Sequence, residues 1–327
     1  MQFTWRDGER TIRFGSGTVA ELPLHIGEHP YTLLTTERAA AQAPAVVEGA
    51  SAIHHVPPGL VDEVSAALLD AVEHDLIVAL GGGRVIDTAK AIAGVRGPDA
   101  RVTAIPTTIS AAEMTASHRL PKGREQGARF VRPALVINDP DLSASQPVAD
   151  LAASSANALA HAIEATVTTL ASPVPTLAAR EAQRLIDSAW LLPDEDPGPT
   201  GREQLAQAAV LSGYAIGAAR YGLSHVMSQT LVRVTGVGHG AANAAVLPVA
   251  IEALERRFPG RVDPDGSLRE LAAGLARRAG ADGIRRLGVP ESALEECAAV
   301  AVQRRELELT PPRADEAELR ELYARAW

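Results

Sequence analysis

The chain has 327 residues, 46% hydrophobic, 22% charged and 3% aromatic, which suits one large or two ordinary globular domains. Its formal charge of −9 is distributed along the chain without a basic stripe, so capture of nucleic acid through its phosphates is excluded. No run of about 18 or more consecutive apolar residues occurs, so no membrane-spanning helix is expected. The opening MQFTWRDGERTIRF mixes charges with apolar residues, unlike a secretory signal, and a cytoplasmic protein is the expectation.

Alanine occurs 61 times, and the basic residues divide into 29 Arg and 2 Lys. That bias reads as a GC-rich coding genome, and it makes Lys90 and Lys122 conspicuous. The single cysteine, Cys297, cannot form an internal disulfide. Its setting, LEECAAV, reads as an amphipathic helix, and two preceding glutamates disfavour a thiolate.

The first 140 or so residues alternate short apolar runs with helical patterns, as in a parallel sheet with crossover helices. Strands are predicted at Tyr31–Thr35, Asp75–Leu80, Val102–Ile105 and Ala134–Ile137, with a helix over Leu60–Glu73. The segment DLIVALGGGRVIDTAKAIAG places Gly81, Gly82 and Gly83 between a strand and a helix. Glycine lets backbone approach a ligand closely, and a helix N-terminus points free N–H groups at an anion. Asp87 and Lys90 follow on one helix face, and a compact ammonium there suits a phosphate. In IPTTISAAEMT, Thr107 and Thr108 follow the next strand, at the carboxyl edge where open sheets take ligands. Glu113 reads as an ordinary exposed residue.

After NDPDLSASQP the texture changes to long Ala-rich helical segments, with Pro147 near a helix start. Two domains are predicted, an α/β domain over residues 1–147 and an all-helical one over 148–327. Helices are expected from Asp150 onward and over Thr176–Leu192, Glu203–Tyr221, Asn243–Arg257, Leu268–Arg278 and Ala317–Ala326. Pro193–Gly201 reads as a surface loop. His161, His225 and His239 fall in apolar settings of this half. Asn157 and His161, four apart, share a helix face. With Asp in place of Asn that pair, plus the other two histidines, would form a metal-ligand set; a neutral amide supplies no charge.

Taken together, GGGRVIDTAKAIA, IPTTISAAEMT, NDPDLSASQP, SANALAHAIEA, GLSHVMSQTL and GVGHGAANAAVLP resemble the iron-containing alcohol dehydrogenase superfamily, in its order from about residue 78 to 250. RTIRFGSGTVAELP is similar to its first hairpin, and the Asn of NALAH is closer to the maleylacetate reductase branch, which is associated with hydride transfer independent of metal. The resemblance implies the dehydroquinate synthase-like fold, an α/β dinucleotide-binding domain and an all-α C-terminal domain, with the active site in the cleft between them. It implies that Gly81, Gly82 and Gly83 carry the cofactor pyrophosphate and that Thr107, Thr108 and Thr115 lie along the nucleotide. It also implies that His161, His225 and His239 stand at three metal-ligand positions with Asn157 at the fourth, where they would be catalytic.

Departures from the family pattern are Arg84 for Ser, Ala111–Ala112 for Gly–Ser, Gln229 for a relay histidine, and Asn157 for a carboxylate. Glutamine cannot act as a general acid or base, and the lost carboxylate argues against tightly held iron or zinc. Thr36 stands where many members place an Asp on the ribose, with Arg38 close behind, so the cofactor is NAD or NADP, with Glu37 inclining toward NAD. The expected reaction moves a hydride between nicotinamide and a hydroxy or oxo acid or alcohol. Oxidation of a β-hydroxy acid on a peptide or natural-product intermediate, followed by decarboxylation, is the second reading, and a degenerate homologue partnering an active subunit is the third. A homodimer or a hetero-oligomer with a related subunit is expected. The chain is short for the family, which implies a reduced C-terminal helical domain.

Overall fold

The computed structural model describes residues 1–191, 196–263 and 265–327. These form two compact units, Met1–Gln146 and Pro147–Trp327.

The first unit is a seven-stranded sheet of β1 (Phe3–Asp7), β2 (Arg10–Phe14), β3 (Thr32–Thr35), β4 (Ala52–His55), β5 (Leu76–Gly81), β6 (Arg101–Pro106) and β7 (Leu135–Asn138). The spatial order is β1-β2-β7-β6-β5-β3-β4, parallel except for the β1–β2 pair. Its helices are α1 (Leu22–Ile26), α2 (Glu37–Ala40), α3 (Pro44–Glu48), α4 (Val61–Leu68) and α5 (Gly83–Arg96). Alternate residues of β5 serve two cores. Ile77 and Ala79 pack with Val64, Ile86, Ala89 and Ile92 of α4 and α5, while Val78 and Leu80 pack with Leu22, Ala39 and Val46 of α1 to α3. A parallel strand covered on both faces has no polar side, which is why it reads as an unbroken apolar run.

The four predicted strands lie within a residue of their observed ends, but the hairpin differs. Arg10–Phe14 pairs backward with Phe3–Asp7, whereas the chain after Phe14 turns into a 3-10 turn and α1. Strand β4, AIHH, is absent from the sequence reading because an edge strand with two histidines carries little apolar signal. The helix expected over Leu60–Glu73 ends at Leu68 and tightens to a 3-10 turn through Ala71.

The second unit contains α6 (Val148–Glu164), α7 (Pro173–Ala189), α8 (Gly198–Ala219), α9 (Leu223–Thr235), α10 (His239–Arg257), α11 (Ser267–Arg278), α12 (Ala293–Ala301) and α13 (Glu316–Ala326). Helix α6 packs against α7, α8, α10 and α11 and is buried almost all round, the pattern of a central helix. Its alanines make room for neighbours to approach on every side. Of the predicted loop, Pro193–Glu195 lie outside the described residues, and its end is helical, because α8 begins at Gly198. Among the described residues no helix is long and apolar enough to cross a membrane.

Candidate active site

In the first unit, β5 and β6 run in register to their carboxyl ends, Gly81 opposite Pro106. The amide of Thr107 donates to the carbonyl of Gly81 at 3.0 Å, which holds the two turns together. Helix α5 then starts with Gly82 at its N-cap and no side chain capping it, so its first N–H groups are available to a ligand. The glycines are needed for closeness. A Cβ on Gly82 would stand 3.1 Å from Thr108 Oγ1, and one on Gly83 would stand 2.9 Å from Ser110 Oγ. A cavity of about 330 Å³ opens at this turn, lined by Thr36, Arg38, Gly82, Gly83, Arg84, Val85, Thr107 and Thr108. Thr107 is 1% exposed, and its Oγ1 has no hydrogen-bond partner, so the wall presents an unsatisfied polar atom. The residues present fit a dinucleotide phosphate.

Gly81, Asp87, Lys90 and Thr115 do not line this cavity. Lys90, expected to face the phosphate, is fully buried and turned the other way. Its Nζ donates to Asp87 Oδ1 at 2.7 Å and to the carbonyls of Ala112 at 3.0 Å and Ser117 at 2.9 Å. Three acceptors saturate an ammonium, so Lys90 buttresses the loop after β6. Arg10 secures the same loop from the first hairpin, with Nη1 donating to the carbonyl of Met114 at 3.2 Å. Ala111 holds φ 62 in that loop, a left-handed conformation costly for any residue with a Cβ.

Glu113 lies between these cations and is wholly buried, with neither carboxylate oxygen hydrogen-bonded. This corrects its reading as an exposed residue. Burial pushes its pKa up to about 7, with its own backbone amide and then Lys90 and Arg10 pulling the other way. The folded protein therefore holds this proton at pH values where the unfolded chain, near 4.5, has released it. The resulting stabilisation is complete below about pH 4.5 and is lost as the pH rises through about 7. Glu113→Gln should remove that dependence. Chemical denaturation across this range should show the variant gaining on the wild type by about 3 kcal/mol between the acid and alkaline ends, and parallel curves would disprove it.

In the second unit, α6 and α9 bring two imidazoles together. The rings of His161 and His225 stack with centroids 4.7 Å apart and planes 10° from parallel. His225 Nδ1 lies 2.5 Å from Glu164 Oε2, and both residues are buried. The other oxygen of Glu164 accepts from the amides of Gly222 at 3.1 Å and Ser224 at 2.8 Å. The carboxylate is thus fixed before it fixes the imidazole. His225 Nε2 and His161 Nδ1 are buried without partners. Burial, then the charges of His225 and His239, hold His161 well below the ordinary imidazole range, so His161 is the neutral ring.

Sequence gives little sign of Glu164. Its only signal is a position three residues after His161, on an alanine-rich helix. Gln229, at the relay-histidine position, accepts from Arg304 Nη2 at 3.0 Å, and Arg304 also pairs with Glu306 at 2.8 Å. The Tyr221 ring tilts over His225 at 5.5 Å between centroids.

The three histidines and Asn157 do not converge. Among the described residues no three His, Cys, Asp or Glu side chains are placed to hold a metal ion. Stacked rings direct their in-plane nitrogens side by side, whereas a tetrahedral metal needs donors converging at about 2.0–2.1 Å. His239 is exposed at the start of α10, with its Nε2 3.1 Å from Asn243 Nδ2. Asn157 is buried on the His161 face of α6 and contributes no charge. As arranged, these donors do not fit iron or zinc.

A glycine turn at the carboxyl end of a central parallel strand, opening on a cationic cavity, is the architecture by which α/β proteins take up nucleotides. Residues 10–140 match the iron-containing alcohol dehydrogenase family and residues 151–282 its C-terminal region. A maleylacetate reductase of Sphingobium indicum is 33% identical, over 92% of this chain and 91% of its own. A 1,3-propanediol dehydrogenase of Klebsiella pneumoniae is 33% identical over 53% of this chain and 51% of its own. The crystal structure of a maleylacetate reductase from Agrobacterium tumefaciens superposes with a TM-score of 0.84 at 26% identity, covering 99% of this chain and 97% of that one.

The chain belongs to the iron-containing alcohol dehydrogenase family, on its maleylacetate reductase-like side, and has that family's fold of an α/β unit followed by a helical unit. It is an NAD(P)-dependent oxidoreductase of the alcohol dehydrogenase or reductase type. The helical unit is not reduced relative to the Agrobacterium tumefaciens enzyme, which is matched over nearly its whole length.

Proposed function

We propose that the enzyme transfers a hydride between a nicotinamide dinucleotide and an oxo or hydroxy acid, without a tightly bound metal, and that His225 exchanges the accompanying proton. The observation that carries this reading is the Glu164–His225 pair, 2.5 Å apart and buried, with Nε2 left unpartnered. The dinucleotide, when bound, supplies or accepts the hydride. Unit one contributes the cradle, with the free amides at Gly82 and Gly83 and the hydroxyls of Thr107 and Thr108 facing its phosphates.

Glu164 holds the Nδ1 proton of His225 and stabilises the ring when positively charged, as an orienting carboxylate does in hydrolase triads. In the reductive direction the Nε2 proton passes to the oxygen on which negative charge develops, and in oxidation it returns to Nε2. His161, neutral, offers a hydrogen bond to the same substrate without competing for the proton. An acid substrate is favoured because imidazoles in this arrangement recognise anionic oxygen, and because sequence relatives matched over most of their length include several maleylacetate reductases. The retained dyad and cavity stand against the degenerate-partner reading.

The test is a nicotinamide-fluorescence titration with NADH and NADPH, followed by assay of hydride transfer to maleylacetate and a panel of simpler 2- and 3-oxo acids. Binding, turnover of at least one acid, and turnover retained after exhaustive chelation are expected. Failure of both dinucleotides to bind at millimolar concentration would remove the reading, and loss of turnover on chelation with recovery on adding iron or zinc would remove its metal-independent part.

A further inference from the structure

Resting on the dinucleotide reading above, we infer that Arg38 and Arg84 form a clamp for the ribose 2′-phosphate, making the enzyme selective for NADP(H) over NAD(H).

The two arginines begin neighbouring turns. Arg38 stands in the first turn of α2, after β3, and Arg84 in the first turn of α5, after β5, and β3 and β5 are adjacent parallel strands. Both line the same cavity. Neither is neutralised: no ion pair to Arg84 or Arg38 occurs among the described residues, and Arg38 makes only a 3.4 Å hydrogen bond to the carbonyl of Ser145. Elsewhere among the described residues, arginines are tied to carboxylates, as in Arg13–Glu21, Arg96–Asp75, Arg202–Asp196 and Arg257–Glu318. Two guanidinium groups held apart from carboxylates in a chain of net charge −9 mark a site for an anion.

The lining also contains no carboxylate. An acidic residue at the end of the second strand accepts from a free ribose 2′-hydroxyl and repels a 2′-phosphate, and an arginine nearby does the reverse. At that strand end Thr36 spends its hydroxyl capping α2, accepting from the amide of Ala39 at 3.3 Å. Glu37, whose charge inclined the sequence reading toward NAD, is exposed and does not line the cavity. Arg84 matters because it lines the same cavity as Arg38 and carries its guanidinium on a long stem that reaches beyond the turn. The α5 N-terminus and Thr107 keep the pyrophosphate.

Calorimetric or fluorescence titration of the intact protein with NADPH, NADH, 2′,5′-ADP and 5′-AMP tests the assignment without turnover. NADPH should bind about tenfold or more tightly than NADH, and 2′,5′-ADP more tightly than 5′-AMP, each preference falling with salt. The double variant Arg38→Gln/Arg84→Gln should lose about 10- to 100-fold for NADPH and change less than about threefold for NADH. Thr36→Asp, which keeps a capping oxygen, should shift preference to NADH. NADH binding as tightly as NADPH would overturn the inference while leaving the dinucleotide reading intact. Equal weakening of both dinucleotides in Arg84→Gln would also overturn it, by placing that side chain on the pyrophosphate. Binding of neither dinucleotide would overturn the dinucleotide reading, and the clamp with it.

Discussion

Replacing Glu164 by Gln is expected to lower kcat by at least about a hundredfold, the scale on which removal of a buried orienting carboxylate acts on a catalytic histidine, while dinucleotide affinity stays within about twofold of wild type. The amide preserves shape and can still accept from the amides of Gly222 and Ser224. It cannot stabilise a positively charged His225, and its NH2 face favours the tautomer with a proton on Nε2 and none on Nδ1. Stopped-flow measurement of hydride transfer across pH separates this from a packing defect. The variant's rate should depend on pH differently from the wild type, whereas a merely loosened helix pair would scale the whole profile down. A kcat within threefold of wild type would remove His225 as the proton-exchanging group.

The second large effect is on stability. Lys90→Met should destabilise the first unit by about 3 kcal/mol, the cost of breaking a buried, hydrogen-bonded ion pair moderated by the partial exposure of Asp87. Methionine fills the channel of the lysine stem, so the loss is the ammonium itself. The carbonyls of Ala112 and Ser117 lose their donor, and Glu113 loses one of its two neighbouring cations. Denaturant unfolding should show a lower midpoint, with NADPH and NADH affinity both reduced as the loop carrying Thr107 and Thr108 loosens. A change below 1 kcal/mol, or an affinity loss with no loss of stability, would return Lys90 to the phosphate.

How much of this was legible in sequence follows the physics of each element. Buried parallel strands such as LIVALG carry their signal in every residue, and the glycine turn is local chemistry that needs no partner to be recognised. Lys90 was conspicuous for a sound reason, since a compact ammonium was required, but the sequence held no information about which carbonyls would surround it. Glu113 reads as exposed because single glutamates after a turn ordinarily are; its burial beside Lys90 and Arg10, the latter from a hundred residues away, is a product of tertiary packing. The histidine pair shows the same limit from the other side. Nothing in NALAHAIEA or GLSHVMSQ shows that α9 would deliver His225 onto the carboxylate one turn beyond His161, and the distance among the three histidines is a property of packing, which is why a ligand set suggested by spacing does not converge.

The pairing of β2 with β7 bears on how the chain acquires its shape during synthesis. Arg10–Phe14 finds its parallel neighbour only at Leu135–Asn138, and Arg10 also reaches Met114, so the second strand made on the ribosome is among the last to be satisfied. Until the final strand of the unit emerges, the β1–β2 hairpin has one antiparallel partner and a bare outer edge, a state open to pairing with another nascent chain. Arg6, Arg10 and Arg13, distributed along that hairpin, place charge on it throughout the wait. Charge on an edge strand opposes pairing with another chain, so these arginines disfavour aggregation of an early, slow-to-pair element before its sheet exists.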